Sequence, residues 1–166
     1  MISKKITLIG DFSTGKTSLI SRFVDNQFSD KYLSTIGVKI SKKTIKTDSA
    51  IIQGLIWDIE GGTESKPINT TYLRGMHGCI VVADITREDT QKNISLYIKT
   101  AQQIVKDVPI VIALNKSDKL DVLSSHDVLE KIQNSYKGYN VFLTSAKNDL
   151  NVEEAFITLA NKILKT

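Results

Sequence analysis

One glycine-rich segment has the residue types and the spacing that suit phosphate binding. Residues 10–17 read GDFSTGKT, match the pattern GxxxxGK[ST], and lie between an apolar run and a helical pattern. Backbone N–H groups in such a loop turn inward, and the following helix adds the positive end of its dipole. Lys16 supplies a point charge for the outer phosphates, and the Thr17 hydroxyl suits Mg²⁺. The residues expected to contact the phosphates are Phe12, Ser13, Thr14, Gly15, Lys16, Thr17 and Ser18.

Two polar segments that follow later apolar runs predict which base is bound. The first reads Asn115-Lys116-Ser117-Asp118, and the second reads Thr144-Ser145-Ala146-Lys147. A carboxylate at Asp118 can accept from both N1–H and the exocyclic amine of guanine, whereas adenine offers no such pair of donors. The first segment resembles the guanine-specificity motif of GTPases, and this resemblance implies that the site selects guanine. Adenine would leave a buried carboxylate unpaired. Asn115 is expected to bridge neighbouring loops, and the stem of Lys116 to cover the nucleotide.

Short apolar runs alternate with amphipathic stretches, which indicates an α/β fold with a mainly parallel sheet covered on both faces. The predicted strands are residues 6–9, 38–45, 51–57, 79–83, 110–114 and 141–143. Helical spacing appears at residues 16–24, 94–105, 128–132 and 152–164. Because only residues 47–49 separate the second and third strands, these two are predicted to form an antiparallel hairpin. In such folds the ligand binds outside the carboxyl ends of the strands, where the polar segments are predicted to meet.

The composition argues against several other classes of protein. The chain has 166 residues, of which 41% are hydrophobic and 24% charged, which is ordinary for one globular domain. No apolar run approaches the roughly 20 residues that a membrane span requires. The net charge is +4, but the basic residues are scattered, which argues against a nucleic-acid partner. The single cysteine, Cys79, is predicted to be a buried, inert thiol in a reducing, cytoplasmic compartment.

In order and spacing, these motifs resemble those of Ras-like small GTPases over nearly the whole chain, and within that group they are most similar to the Rab type. The supporting stretches are Ser34-Thr35-Ile36-Gly37-Val38, Tyr72-Leu73-Arg74-Gly75-Met76-His77-Gly78 and Val82-Ala83-Asp84-Ile85-Thr86. The resemblance implies a P-loop NTPase fold with a six-stranded sheet, an antiparallel strand 2 and five helices. It also implies one GTP-binding domain over residues 1–166, and a GTP/GDP-dependent switch with Mg²⁺ that acts in membrane traffic.

The resemblance assigns roles to two switch segments. Tyr32-Leu33-Ser34-Thr35-Ile36-Gly37 resembles switch I, in which Thr35 would bring a second hydroxyl to Mg²⁺. Asp58 and Gly61 fit the DxxG pattern of switch II, in which the carboxylate holds Mg²⁺ through water and the glycine N–H binds the γ-phosphate. Loss of that phosphate would release both segments. The implied metal ligands are Thr17, Thr35 and Asp58, and the implied catalytic groups belong to Lys16, Thr35 and Gly61.

On the side of the base, the resemblance implies two further contacts. Phe28 falls where the family places an aromatic ring against guanine, and the alternative is a phenylalanine of the core or surface. Residues 145–147, which are Ser145, Ala146 and Lys147, resemble the family's SAK loop, whose alanine N–H reads guanine O6.

Switch II departs from the family pattern DTAGQE at two positions that bear on hydrolysis. Gly62 occupies the place of the glutamine that orients the attacking water, and glycine has no side chain for that task. Glu60 replaces a small residue beside the γ-phosphate, and its carboxylate would repel that phosphate unless it turns outward or reaches the metal. The other alternative is that Glu60 itself orients water. Because the family mechanism works mostly by positioning and electrostatics, we expect slow intrinsic hydrolysis.

The phosphate loop departs from the pattern as well, since Phe12 and Ser13 replace residues that are commonly small. Phe12 is expected near the path of an incoming arginine finger, which can contribute ~10³–10⁵ in rate. We therefore expect that a standard activating protein cannot use its finger on this chain.

The surface that would contact effectors and regulators comprises residues 35–40, Trp57 and residues 62–74. Lys39 stands where Rab-type chains usually carry an acidic residue, and Ile40 replaces an aromatic residue, whereas Trp57 and Tyr72 match the pattern. A reversed charge at an interface rim changes partner choice, so we do not expect ordinary Rab effectors to bind. The chain ends without a cysteine, so no lipid anchor is expected on it, and it is expected to be a monomer.

Three functions compete on these residues. The first is a GTPase switch with slow turnover, and the second is a GTP-dependent binding module that is deficient in hydrolysis because of Gly62, Glu60 and Phe12. The third is an ATP-using kinase or ATPase, which Asp118 and the SAK segment oppose. The two histidines, His77 and His126, are expected to be structural and solvated, respectively, and to form no metal site.

Overall fold

Six strands form one sheet in the computed structural model, which describes residues 1–32 and 34–166. The strands are β1 Ile2–Gly10, β2 Val38–Lys46, β3 Ile51–Ile59, β4 Gly78–Asp84, β5 Ile110–Asn115 and β6 Asn140–Leu143. Their order across the sheet is β2-β3-β1-β4-β5-β6. β2 runs antiparallel to β3, and every other pair of neighbours is parallel. The predicted six-stranded, mainly parallel sheet with an antiparallel strand 2 is confirmed.

Five helices cover the two faces of this sheet. They are α1 Lys16–Asp25, α2 Glu88–Lys92, α3 Ile94–Ile104, α4 Val122–Ser135 and α5 Val152–Lys165. Short 3₁₀ turns lie at Thr70–Leu73 and Ser117–Lys119. α1 and α5 pack on one face, and α3 and α4 pack on the other. Among the described residues, no helix is both long enough and apolar enough to cross a membrane.

The start of α4 differs from its prediction, which placed helical spacing only at residues 128–132. The helix begins at Val122, because the Asp121 carboxylate caps it by accepting a hydrogen bond of 2.8 Å from the Ser124 N–H. Val122 and Leu123 are exposed, so the first turn carries no apolar face that a periodicity argument could detect.

The core has two layers that hold the middle strands from both sides. β4 and β5 are buried along their whole length, as expected for central strands of a parallel sheet. On the α1/α5 face, Phe23 and Phe156 stack with ring centroids 4.0 Å apart. This rigid centre fixes the carboxyl ends of β1, β4 and β5, from which the polar segments emerge.

Cys79 provides a test of this packing, because it lies fully buried in β4. Burial raises the pKa of its thiol to about 12. Since the thiolate is the reactive form, we expect no reaction of the folded protein with Ellman's reagent at pH 8, and complete reaction in guanidinium chloride. Rapid labelling of the native chain would contradict the buried position of β4.

Candidate functional site

A cavity of about 450 Å³ lies at the carboxyl ends of the strands, a size that suits a small-molecule ligand. Most of the predicted contact residues line it: Phe12, Ser13, Gly15, Lys16, Thr17, Ser18, Phe28, Thr35, Gly61, Asn115, Lys116, Asp118, Ala146 and Lys147. The side chains of Thr14 and Ser145 are fully buried behind the wall instead. Leu33, which belongs to the predicted switch I, lies outside the described residues.

The loop between β1 and α1 curls around one end of the cavity. Ser13 and Gly15 adopt positive φ angles of 66° and 96°, which makes the successive N–H groups converge in an anion-binding nest. A Cβ on Gly15 would collide with the side chain of Asn115, and one on Gly10 would collide with the carbonyl of Val82. The N–H groups of residues 13–18 donate to no acceptor in the described part of the chain. The loop therefore presents free donors to an anion.

Lys16 brings a buried positive charge to the same place. Its Nζ donates to the carbonyls of Asp11 at 3.0 Å and Gly10 at 3.4 Å. Burial lowers the pKa of Lys16 to about 8, although the carboxylates of Asp58 and Asp11 oppose this effect. A buried cation is costly unless a charged group pairs with it, so the ammonium group is suited to an anionic phosphate.

Three oxygen-bearing side chains meet beside Lys16. The hydroxyl of Thr17 lies 2.6 Å from that of Thr35 and donates to Asp58 Oδ2 at 2.6 Å. Thr35 also donates to Asp58 Oδ2 at 3.2 Å. Asp58 Oδ1 is buried and has no hydrogen-bond partner among the described residues. Burial raises the pKa of the Asp58 carboxyl, while its bond from Thr17 lowers it.

This arrangement fits a magnesium ion better than a softer metal. Mg²⁺ takes oxygen ligands at about 2.0–2.1 Å in octahedral geometry, which sets neighbouring ligand oxygens about 2.9 Å apart. The hydroxyls of Thr17 and Thr35 lie 2.6 Å apart, close to this value, and Asp58, which is expected to hold the ion through water, accepts from both of them. Groups of three or more His, Cys, Asp or Glu residues that could hold a metal do not occur in the described residues. The hydroxyl and carboxylate oxygens are thus the candidate metal ligands.

The other end of the cavity is formed by the segments after β5 and β6. Asn115 donates from Nδ2 to the Thr14 carbonyl at 3.0 Å and accepts from the Thr144 hydroxyl at 3.1 Å. It therefore bridges the phosphate loop and the β6 loop. Asp118 accepts at 2.7 Å from the hydroxyl of Ser145, which fixes the direction of its carboxylate. An oriented carboxylate on the cavity wall suits a ligand with a pair of N–H donors.

Two cations support these segments from behind. Lys116 Nζ donates to the Ser13 carbonyl at 2.7 Å and pairs with Asp84 at 3.0 Å. Arg22, on α1, donates to the carbonyls of Ala146 at 2.8 Å and Lys147 at 3.1 Å. The 145–147 segment is therefore anchored to the helix that follows the phosphate loop.

Glu60 turns away from the predicted phosphate position. Its Oε2 accepts from the Gly37 N–H at 3.1 Å, and its Oε1 pairs with Lys66 Nζ at 3.1 Å. The bond from Gly37 and the one from Lys66 lower the pKa of the Glu60 carboxyl. Its own N–H donates to the Gly37 carbonyl at 2.9 Å. Of the orientations considered, the Glu60 carboxylate adopts the outward one. It thereby links the segments that resemble switch I and switch II.

Gly62 packs directly on the phosphate loop. Its carbonyl accepts from the Phe12 N–H at 2.9 Å, and its N–H donates to the Gly10 carbonyl at 3.2 Å. A Cβ on Gly62 would lie only 2.5 Å from the hydroxyl oxygen of Tyr97. That hydroxyl donates to Asp11 at 2.6 Å, so it cannot move away freely. The Tyr97 hydroxyl therefore already occupies the space that the Cβ atom of a glutamine at position 62 would need.

Two aromatic rings flank the mouth of the cavity. Phe12 and Tyr32 meet edge to face, with ring centroids 5.6 Å apart. Both rings are exposed and both residues line the cavity. The pair therefore lies at the edge of the cavity, beside the phosphate loop.

The surface predicted to contact effectors combines apolar and basic groups. Ile36 and Ile40 are exposed, and Lys39 is exposed beside them. Lys5 Nζ lies 3.6 Å from the centroid of the half-buried Trp57 ring and covers it. A partner that uses the Trp57 ring must displace or pair with this ammonium group.

Several residues of the site were not found from sequence. Tyr97 and Asn93 both donate to the Asp11 carboxylate, at 2.6 and 2.8 Å. Arg22 holds the 145–147 segment, and Asp84 pairs with Lys116. Asp84 lies in the stretch of residues 82–86 that supports the family resemblance, whereas the other three belong to no motif, and each acts on a segment far away in the chain. His77 is structural, because its Nδ1 accepts from the Lys5 N–H at 2.9 Å, and His126 is exposed on α4.

Comparisons with known proteins agree with this geometry. Residues 5–165 match the Ras family. The chain is also 38% identical, over 165 residues, to the Ras-related protein Rab-1C of Dictyostelium discoideum. That alignment covers 98% of this chain and 81% of the relative.

The contact between Gly62 and Tyr97 can be tested with a double-mutant cycle. We expect Gly62→Ala to destabilise the protein by about 1–3 kcal/mol, because the new methyl group overpacks the Tyr97 hydroxyl. In the Tyr97→Phe background the same change is expected to cost about 1 kcal/mol less, as measured by denaturant unfolding. The matched control is Tyr139→Phe, which lies elsewhere and is expected to be additive with Gly62→Ala. If the effects on the free energy of unfolding were additive in both cycles, the Tyr97 hydroxyl would not be what opposes a side chain at position 62.

Proposed function

Because the chain belongs to the Ras family, we propose that it is a guanine-nucleotide switch that binds GTP and GDP with Mg²⁺ and hydrolyses GTP slowly. We infer that residues 1–166 make up one such domain. By its likeness to a Rab-type protein, its proposed role is a Rab-like switch in vesicle traffic or signalling.

The observation that carries the proposal is the convergence of three kinds of group on one cavity. These are the N–H groups of residues 13–18, which have no acceptor in the described part of the chain, the oxygens of Thr17, Thr35 and Asp58, and the oriented carboxylate of Asp118. They suit, respectively, phosphates, a hard divalent cation and guanine. A magnesium nucleotide carries all three recognition elements.

The chain's own groups supply most of the electrostatic stabilisation that phosphoryl transfer needs. The N–H groups of residues 13–18 and the Lys16 ammonium group stabilise negative charge on the phosphates. The Gly61 N–H lines the cavity without an acceptor in the described residues, so it is free to contact the terminal phosphate. Thr17, Thr35 and Asp58 would hold Mg²⁺, which neutralises phosphate charge when bound.

The proposal of slow hydrolysis rests on how the attacking water would be oriented. Gly62 has no side chain, and its N–H and carbonyl are both used by the phosphate loop. The Glu60 carboxylate points to Gly37 and Lys66. The Phe12–Tyr32 pair stands in the way of an external arginine. These observations support slow hydrolysis, and they also favour the second candidate, a binding module that retains GTP and recruits protein partners.

Single-turnover hydrolysis distinguishes the two candidates. Purified protein is loaded with GTP and Mg²⁺, and the nucleotide is released by denaturation and identified by chromatography over time. We expect complete conversion to GDP at a rate no higher than about 10⁻³ s⁻¹, and a further loss of rate in Lys16→Ala. GTP that persists for days would support the binding module. A protein that loads ATP but not GTP in the same procedure would overturn both candidates.

Base selection is tested at Asp118, whose carboxylate accepts from two guanine donors in the proposed complex. Asp118→Asn replaces one acceptor by a donor, so we expect GTP affinity to fall at least ~100-fold. Xanthine has a carbonyl in place of the guanine amine and matches the new donor, so the variant is expected to prefer XTP. The exposed Asp127→Asn, on α4, is the matched control. Competition of both nucleotides against a fluorescent analogue measures the preference, and an unchanged preference for GTP would refute the role of Asp118.

Protein partners are proposed to bind the surface around Ile36, Ile40 and Trp57, and Lys39 gives its rim a charge that differs from the Rab pattern. We propose that the protein acts as a monomer in the cytoplasm. The presence of a single cysteine, which cannot form an intrachain disulfide, supports a reducing compartment of this kind.

A further inference from the structure

Three consecutive carbonyls of the phosphate loop are held by side chains from outside the loop. Arg87 Nη1 donates to the Phe12 carbonyl at 2.9 Å, Lys116 Nζ to that of Ser13 at 2.7 Å, and Asn115 Nδ2 to that of Thr14 at 3.0 Å. Lys116 and Asn115 belong to the segment that the sequence motif identified. Arg87 lies in the polar loop after β4, to which the sequence assigns no contact with the phosphate loop, and it contacts that loop from a position 75 residues away in the chain.

Each of these bonds holds the carbonyl of one peptide group and thereby sets the direction of the N–H in the same peptide, which belongs to the following residue. No cis peptide occurs among the described residues, and in a trans peptide the C=O and the following N–H point in opposite directions. Because Arg87 holds the Phe12 carbonyl on the outside of the loop, the N–H of Ser13 faces the inside. The Ser13 N–H is one of the donors without an acceptor in the described residues.

Ser13 also has a conformation that needs support. Its φ of 66° lies in the left-handed region, which is unfavourable for a residue with a Cβ. The peptide on its N-terminal side is held by Arg87, and the peptide on its C-terminal side is held by Lys116. The two cations therefore fix the backbone of Ser13 from both sides, as strained residues in binding loops require.

The backbone of Arg87 is itself held in place, so its side chain reaches the loop from a fixed base. The Arg87 N–H donates to the Asp84 carbonyl at 3.0 Å, and its carbonyl accepts from the Thr90 hydroxyl at 2.7 Å. The acidic neighbour Asp89 lies 3.6 Å from Nη2 and is largely exposed, so water screens its charge. The guanidinium also adds positive potential at the loop, since it contributes to the low pKa of Lys16, which is due first to burial.

We propose that Arg87 is a positioning residue of the nucleotide site, which turns the Ser13 N–H toward the phosphates by holding the Phe12 carbonyl. This inference rests on the proposed function, because it assumes a nucleotide in the cavity. Arg87 acts through the phosphate loop and leaves the Asp118 end of the cavity unchanged. Its loss is therefore expected to weaken phosphate binding without changing the choice of base.

Nucleotide release from Arg87 variants tests this role. We expect Arg87→Ala to release a fluorescent GDP analogue about tenfold faster than wild type, since a charge-assisted hydrogen bond is lost. Arg87→Lys, which keeps a cationic donor of similar length, is expected to restore most of the slow release. The preference for GDP over ADP is expected to be the same in all three proteins. Lys92→Ala, which removes an exposed cation from α2, the short helix that directly follows Arg87, is the matched control and is expected to release at the wild-type rate.

The outcomes separate this inference from the proposed function. If wild type binds GDP but Arg87→Ala releases it at the wild-type rate, the positioning role is refuted and the proposed function stands. If Arg87→Ala changes the preference for GDP over ADP, or Arg87→Lys fails to slow release, the effect is a general disturbance of the fold and the role is also refuted. If wild type binds no GDP, both are overturned.

Discussion

A loop that turns its N–H groups toward a ligand must satisfy its carbonyl groups on the opposite side. Each buried carbonyl left without a donor would cost about 1–3 kcal/mol. Here the donors come from the carboxyl ends of β4 and β5, through Arg87, Asn115 and Lys116, and from Lys16 in the loop itself. The order of the sheet makes this possible, because β4 lies directly beside β1 and β5 lies beside β4.

The other side of the loop is tied to the end of β3, and this tie bears on catalysis. Asp11 accepts hydrogen bonds from Tyr97 on α3 and from Asn93 just before it, while Gly62 shares two backbone hydrogen bonds with the loop. The Tyr97 hydroxyl fills the space beside Gly62, so the packing that stabilises this junction excludes a side chain there. Contacts within the protein hold this junction, whereas the family pattern places at position 62 a glutamine whose side chain orients water.

The sequence was sufficient for the sheet, its antiparallel edge and the family, because these depend on local apolar patterns and compact motifs. It was not sufficient for Tyr97, Arg87 or Arg22, which act on segments 86, 75 and 124 residues away. Such contacts depend on tertiary packing and leave no periodicity. The orientation of Glu60 was left open for the same reason, since its partner Gly37 lies just before β2, 23 residues away in the chain. The start of α4 was missed because its first turn is exposed.

In the proposed complex, backbone N–H groups of the phosphate loop bind the phosphates of a guanine nucleotide. Amide proton shifts in ¹H–¹⁵N spectra, recorded with and without GDP and Mg²⁺, test it most directly. Charge-assisted hydrogen bonds to phosphate deshield the donor proton, so we expect large downfield shifts of the amide protons of residues 13–18. We also expect the Ala146 amide to shift. Saturating GDP that leaves these amides unshifted, or that shifts amides elsewhere instead, would contradict the account.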